Sequence, residues 1–224
     1  MKINYSKLLN VILNEIIPET YLNVKKGNKL FGAAIIKKTD LSTICIGVNN
    51  EIVNPLFHGE ISTINNFFTL NYKIDPKECI FITTHEPCSL CLSAITWAGF
   101  NNFYYFFPYE DTKNKFSIPH DLKILKQVFK ISEGKYNYNN EYWHSYSILK
   151  EISKSLKYRD ILTDKIQKIF IEYDKLSLIY QKSKNENNIP LNWIVKFWKN
   201  YRRLIISGRY CLITEPKEQR PGNS

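Results

Sequence analysis

Residues 79–107 read CIFITTHEPCSLCLSAITWAGFNNFYYFF. The run from Cys79 to Thr84, entered from Asp75 and Pro76, predicts a compact strand. Phe103 to Phe107 predict a second strand with no polar face, the mark of burial on both sides. Between them a helix begins near Pro87, a residue suited to a first helical turn. It ends at Gly99, which tolerates the left-handed conformation that stops a helix.

Working outward, Leu8, Leu9, Ile12, Leu13 and Ile16 recur at helical spacing and predict an amphipathic helix over residues 5–16 that stops before Pro18. Phe31–Ile36 and Ser42–Val48 predict two strands of an antiparallel hairpin, and the stretch from His58 to Leu70 is helical in pattern. Helix, strand, strand, helix, strand, helix, strand is the order of an α/β chain, and it predicts a three-layer α/β/α sandwich around a central mixed sheet. Downstream, Leu122–Phe129 reads as a helix, Glu133–Tyr142 as a polar turn region, and Ile148–Gln181 as a long helix. No repeat of 20–50 residues is visible. The expected organisation is a catalytic domain over 1–130, a helical C-terminal extension over 131–191 packed on it, and a basic tail over 192–224.

The chemistry sits in two fragments, His58-Gly59-Glu60 and Pro87-Cys88-Ser89-Leu90-Cys91. Each lies at the predicted start of a helix. Cys88 and Cys91 are three apart, so in a first helical turn their sulfurs share one face and can share one ion. The positive end of the helix dipole favours the thiolate, the form that binds metal. With His58 from the other helix there are three protein ligands, which leaves a fourth tetrahedral position open to water, as at catalytic rather than structural zinc. Glu60, two residues from His58, is suited to proton transfer. Zinc lowers the pKa of its water toward neutrality, and a nearby carboxylate can take that proton and return it to a leaving group. A lone Cys-x-x-Cys reads equally as a redox pair or half of a structural site, and a lone His-x-Glu carries little. Jointly, in this order and about 30 residues apart, they form the signature of zinc nucleobase deaminases.

Other candidates have bland readings. His85, His120 and His144 lack such partners and read as surface or hydrogen-bonded residues. Cys45 and Cys79 fall inside predicted strands and read as core fillers. Trp97 and the block Tyr104-Tyr105-Phe106-Phe107 read as packing rather than as base-stacking platforms.

With 44% hydrophobic and 14% aromatic residues the chain is expected to be globular. Its apolar runs fall well short of the roughly 18 residues of a membrane-spanning helix. The N-terminus has no apolar core or cleavage site of a signal peptide, so the cytoplasm is the expected location. Five cysteines at uneven spacing do not suit a disulfide framework. The net charge of +10 is unevenly placed. Residues 1–120 hold 11 Lys and no Arg against 10 Asp plus Glu, a balance of +1, which leaves +9 for residues 121–224. Only five of the 31 basic residues are Arg, the type best fitted to reading phosphates. A chain rich in Lys, Asn, Ile and Tyr also reads as the product of an AT-rich genome.

On these residues the chain resembles the CMP/dCMP-type zinc-binding members of the cytidine deaminase-like superfamily. The nearest branch is that of guanine, cytosine and tRNA adenosine deaminases. His58 to Ile64 is similar to yeast-type cytosine deaminase, and Glu86 to Ala98 to bacterial guanine deaminase. The resemblance covers roughly residues 5–130. It implies that His58, Cys88 and Cys91 hold zinc and that Glu60 is the catalytic proton carrier. An asparagine in the loop before the first motif would bind the base, with Asn49 as the candidate and Asn50 and Asn54 left open. An acidic residue after the fourth strand would set specificity, and Asp111 or Asp121 could serve, although either also reads as a solvated loop charge. The resemblance further implies a homodimer.

Three functions follow. The first is hydrolytic deamination of a nucleobase or nucleoside, with a purine such as guanine favoured. The second is adenosine-to-inosine deamination of tRNA, which needs basic surface beside the pocket. The third is a non-catalytic zinc-binding protein, which has no use for Glu60.

Overall fold

The computed structural model describes residues 3–71 and 73–183. The tail from Asn192, and with it Cys211, lies outside the described residues. Helix α1 (Tyr5–Val11) continues through a π-helical turn (Ile12–Ile16) into α2 (Ile17–Val24). Strands β1 (Gly32–Lys37) and β2 (Thr43–Val48) form the expected hairpin, followed by α3 (Gly59–Phe68), β3 (Cys79–His85), α4 (Ser89–Trp97) and β4 (Asn102–Phe107). Then come α5 (Tyr109–Asn114), α6 (His120–Val128), β5 (His144–Ser147), α7 (Ile148–Ser153) and α8 (Leu156–Ser183).

Among the described residues the sheet has five strands in the order β2-β1-β3-β4-β5. Pairing is antiparallel between β2 and β1 and between β1 and β3, and parallel from β3 to β4 and from β4 to β5. The sheet is therefore mixed. Alternation along the strands splits the core into two layers. Ile35, Phe81, Phe103 and Tyr105 face α3 and α4 and pack with Phe67 and Ile95. Ala34, Ile36, Ile80, Ile82 and Phe106 face the other way, onto Leu8, Leu9 and Ile12 of the N-terminal helices and Ile169, Tyr173 and Leu176 of α8.

Three expectations change. The first helix does not stop at Pro18. The π turn gains one residue and lets Ile17 donate to Ile12 O, so Pro18 falls in the first turn of α2, where a missing N–H costs little. Strand β5 was not foreseen: His144-Ser145-Tyr146-Ser147 is short and polar, and only its pairing with β4 makes it a strand. The long helix over 148–181 is broken between Ser153 and Leu156. Trp97 also departs from its packing assignment, since it is 91% exposed, whereas Tyr104 to Phe107 are all core. Among the described residues no helix is long and apolar enough to cross a membrane.

Candidate metal and deaminase site

Two helix starts meet at the ends of β1 and β3. His58 is the N-cap of α3 and Cys88 the N-cap of α4, both in extended backbone. The approach of α3 to β1 is close because neither side has a Cβ: one added to Gly59 would lie 2.7 Å from Gly32 Cα. The turn into α4 is held by Glu86, whose Oε2 accepts the Tyr109 N–H at 3.0 Å, and by the Tyr109 hydroxyl, which donates to Pro87 O.

His58 Nδ1 lies 3.4 Å from Cys88 Sγ and 3.6 Å from Cys91 Sγ, and the two sulfurs are 3.6 Å apart. These three residues form a group that could hold a metal ion. The donor set and spacing fit zinc. A tetrahedron with bonds of about 2.3 Å to sulfur and about 2.0–2.1 Å to nitrogen has edges of about 3.5–3.8 Å. Without a metal the two thiols split. Hydrogen bonds from Cys91 and His58 push Cys88 well below the usual thiol range, while burial pushes Cys91 well above it. Burial opposes charge on His58, but its contact with Cys88 outweighs this and raises its pKa to about 9. A dication would replace that proton and favour both thiolates.

Glu60 is fully buried, with Oε2 3.3 Å from Cys91 Sγ. Its Oε1 accepts the Thr83 hydroxyl at 2.9 Å, and burial raises its pKa. Thr83 also reaches His85 O at 2.8 Å. His85 was set aside in the sequence as a surface or hydrogen-bonded residue. It is 2% exposed, stacks on Phe31 with centroids 3.8 Å apart, and places Nδ1 3.9 Å from Glu60 Oε1 without a hydrogen-bond partner. Burial keeps it neutral. A signal was available, since residues 83 and 85 of a strand share one face.

Asn49 is 1% exposed; its Oδ1 accepts the Gly59 N–H at 3.0 Å, which leaves its amide donors to face elsewhere. Asn54 instead makes a local turn to the Leu56 N–H, and Asn50 lines a separate open cleft of about 570 Å³ beside β2. Asp121, in the first turn of α6, is 9% exposed and pushed up to about 7, first by burial and then by the charge of Cys88. Asp111 pairs with Lys115 at 3.1 Å. Sequence reading also missed Lys29 and Glu51, a nearly buried ion pair at 2.7 Å whose charges act on His58.

Residues 12–107 match the model of the cytidine and deoxycytidylate deaminase zinc-binding region. Guanine deaminase of Bacillus subtilis (strain 168) is 37% identical over 70 residues, a match that spans 30% of this chain and 44% of that relative. The X-ray structure of guanine deaminase from Bacillus subtilis is 25% identical, with 70% of this chain and 95% of that chain covered and a TM-score of 0.45. A guanine deaminase from Nitrosomonas europaea is 14% identical, with 75% and 85% covered and a TM-score of 0.47. Residues 12–107, where all four motif residues lie, are thus similar to a zinc-binding region of cytidine and deoxycytidylate deaminases.

Proposed function

We propose that the protein is a zinc-dependent hydrolytic deaminase of a nucleobase or nucleoside, with a purine such as guanine favoured. The observation that carries this reading is Glu60, a carboxyl sealed from solvent against the metal group and held by a hydroxyl. A structural zinc site has no need of it. His58, Cys88 and Cys91 would hold the ion, which when bound makes water acidic enough to attack near neutral pH. Glu60 takes one proton from the attacking water and delivers it to the ring nitrogen. It then passes the second to the departing amine, so that water and an amino-purine become ammonia and an oxo-purine. Asn49, fixed through Oδ1, offers its amide donors to the base, and Asp121 offers a carboxyl. Asp111, tied to Lys115, is the weaker candidate.

The match to a relative named guanine deaminase supports a purine. A homodimer is also part of the proposal. In a chain of net charge +10, residues 87–109 contain no Asp, Glu, Lys or Arg, and residues 52–72 contain only Glu60, which is buried. Phe68, at the end of α3, and Trp97, at the end of α4, are exposed large apolar side chains in these uncharged stretches, of the kind that a second copy would cover. Residues 1–130 are read as the deaminase domain in the cytoplasm, 131–191 as a helical extension on it, and 192–224 as a basic tail.

The test is ammonia release by the zinc-loaded protein from guanine, cytosine, adenine, their nucleosides and unmodified tRNA, with Glu60→Ala alongside. Turnover of one small molecule that falls at least about a hundredfold in Glu60→Ala, at unchanged zinc content, supports the proposal. Full activity in Glu60→Ala sinks the mechanism. Inosine in tRNA with silence on small molecules transfers the function to tRNA.

A further inference from the structure

His85 ends β3 inside the protein, and packing alone does not call for a histidine there. It is 2% exposed, its ring lies on Phe31 with centroids 3.8 Å apart and planes 19° apart, and Phe31 is backed in turn by Phe116 at 6.0 Å. A phenylalanine would fill the same stack and leave no polar atom unmatched. Nδ1 of His85 is such an atom, buried and without a hydrogen-bond partner among the described residues.

The acceptor beside Nδ1 is Glu60. Its Oε1 lies 3.9 Å away, about 1 Å beyond a hydrogen bond. The same oxygen accepts the Thr83 hydroxyl at 2.9 Å, and that hydroxyl also reaches His85 O at 2.8 Å, so Thr83 ties the two residues together. Burial keeps His85 neutral, so one ring nitrogen carries hydrogen and the other a lone pair. Beside a carboxylate oxygen a lone pair is repelled and an N–H attracted, which selects hydrogen on Nδ1. The other oxygen, Oε2, faces the metal group, 3.3 Å from Cys91 Sγ. Hydrogen bonds of catalytic groups are often long before substrate binds and tighten in the complex.

We propose that His85 is a positioning residue for Glu60: its Nδ1–H closes onto Oε1 when substrate is bound, so that His85 and Thr83 together fix the plane of the carboxyl and keep Oε2 turned to the metal group. Turning the carboxyl away breaks one contact when Thr83 alone holds Oε1, and two when His85 holds it as well. His85 touches neither substrate nor metal in this role and acts only through Glu60. The inference rests on the deaminase reading above.

The experiment uses the zinc-loaded full chain and the substrate that the ammonia-release panel identifies. His85→Phe keeps a ring on Phe31 and removes Nδ1, whereas His85→Asn puts an amide N–H close to where Nδ1 stands. His85→Phe is expected to lower kcat about 10- to 100-fold, with KM changed less than about threefold and zinc content unchanged, and His85→Asn to recover most of the loss. A residue that served packing alone gives the opposite order, with His85→Phe the milder change. Should His85→Phe not fold, His85→Leu carries the same expectation. A second reading needs no turnover. Nitrogen NMR of histidine-labelled protein, with the His85 signal assigned by its loss in His85→Asn, should show hydrogen on Nδ1, and Glu60→Gln should shift that signal. Full kcat in His85→Phe, or hydrogen on Nε2 in the wild type, overturns the proposal while a deaminating wild type keeps the broader reading. A wild type that deaminates nothing in the panel removes both.

Discussion

Thr83 has one hydroxyl proton and two acceptors within reach, Glu60 Oε1 and His85 O. When Glu60 is a carboxylate the hydroxyl donates to it. When Glu60 holds a proton on Oε1, that proton can be donated to Thr83, whose own hydrogen turns to the His85 carbonyl. Both states of Glu60 therefore keep a hydrogen bond to Thr83. Thr83→Val keeps the shape and removes this property. Turnover is expected to fall about tenfold at unchanged zinc content, with Thr83→Ser restoring most of it, as read from steady-state rates. At this scale the four motif residues were legible because their chemistry is local: Cys88 and Cys91 share a face of one helical turn, and Glu60 stands two residues from His58. Thr83, His85 and Lys29 were not, because a threonine in a strand, a histidine and a lysine acquire meaning only from neighbours across the fold.

Packing of α3 on the hairpin sets where His58 and Glu60 point. Gly47 in β2 sits so close beneath α3 that an added Cβ would lie 2.4 Å from Thr63 N and 2.7 Å from Ser62 C. Both are backbone atoms and cannot swing aside. Gly47→Ala should cost about 1–3 kcal/mol by denaturant unfolding, with the midpoint shifted and the slope kept. Strands β1 to β4 and the two motif helices were readable from alternation, helical spacing, Pro87 and Gly99. The last of these does adopt a positive φ of 80° just beyond α4. Strand β5 and the π turn were not readable, since one depends on a distant partner strand and the other on how a proline is accommodated.

In the whole molecule, the sequence of the two motif helices carries no charge but the buried Glu60 in a chain rich in lysine, and Trp97 at the end of α4 is 91% exposed. Trp97→Lys is expected to yield monomers with the zinc site intact. Sedimentation equilibrium would read the change, and a Trp97→Lys protein with the mass of the parent would remove this face as the dimer contact. Helix α8 joins the same core as α1 and β4 through Ile169, Tyr173 and Leu176, so residues beyond 155 help to cover the face of the sheet opposite the two motif helices. The sequence by itself determined the α/β order and singled out the four motif residues that meet in the candidate site, because each rests on spacing within a single element or on the start of one. Only the tertiary structure decided that Asn49 gives its carbonyl to the Gly59 N–H, that Asp121 is buried, and that Lys29 meets Glu51. Those contacts join residues 10 or more positions apart, and local periodicity carries no information about which loops a folded sheet brings together.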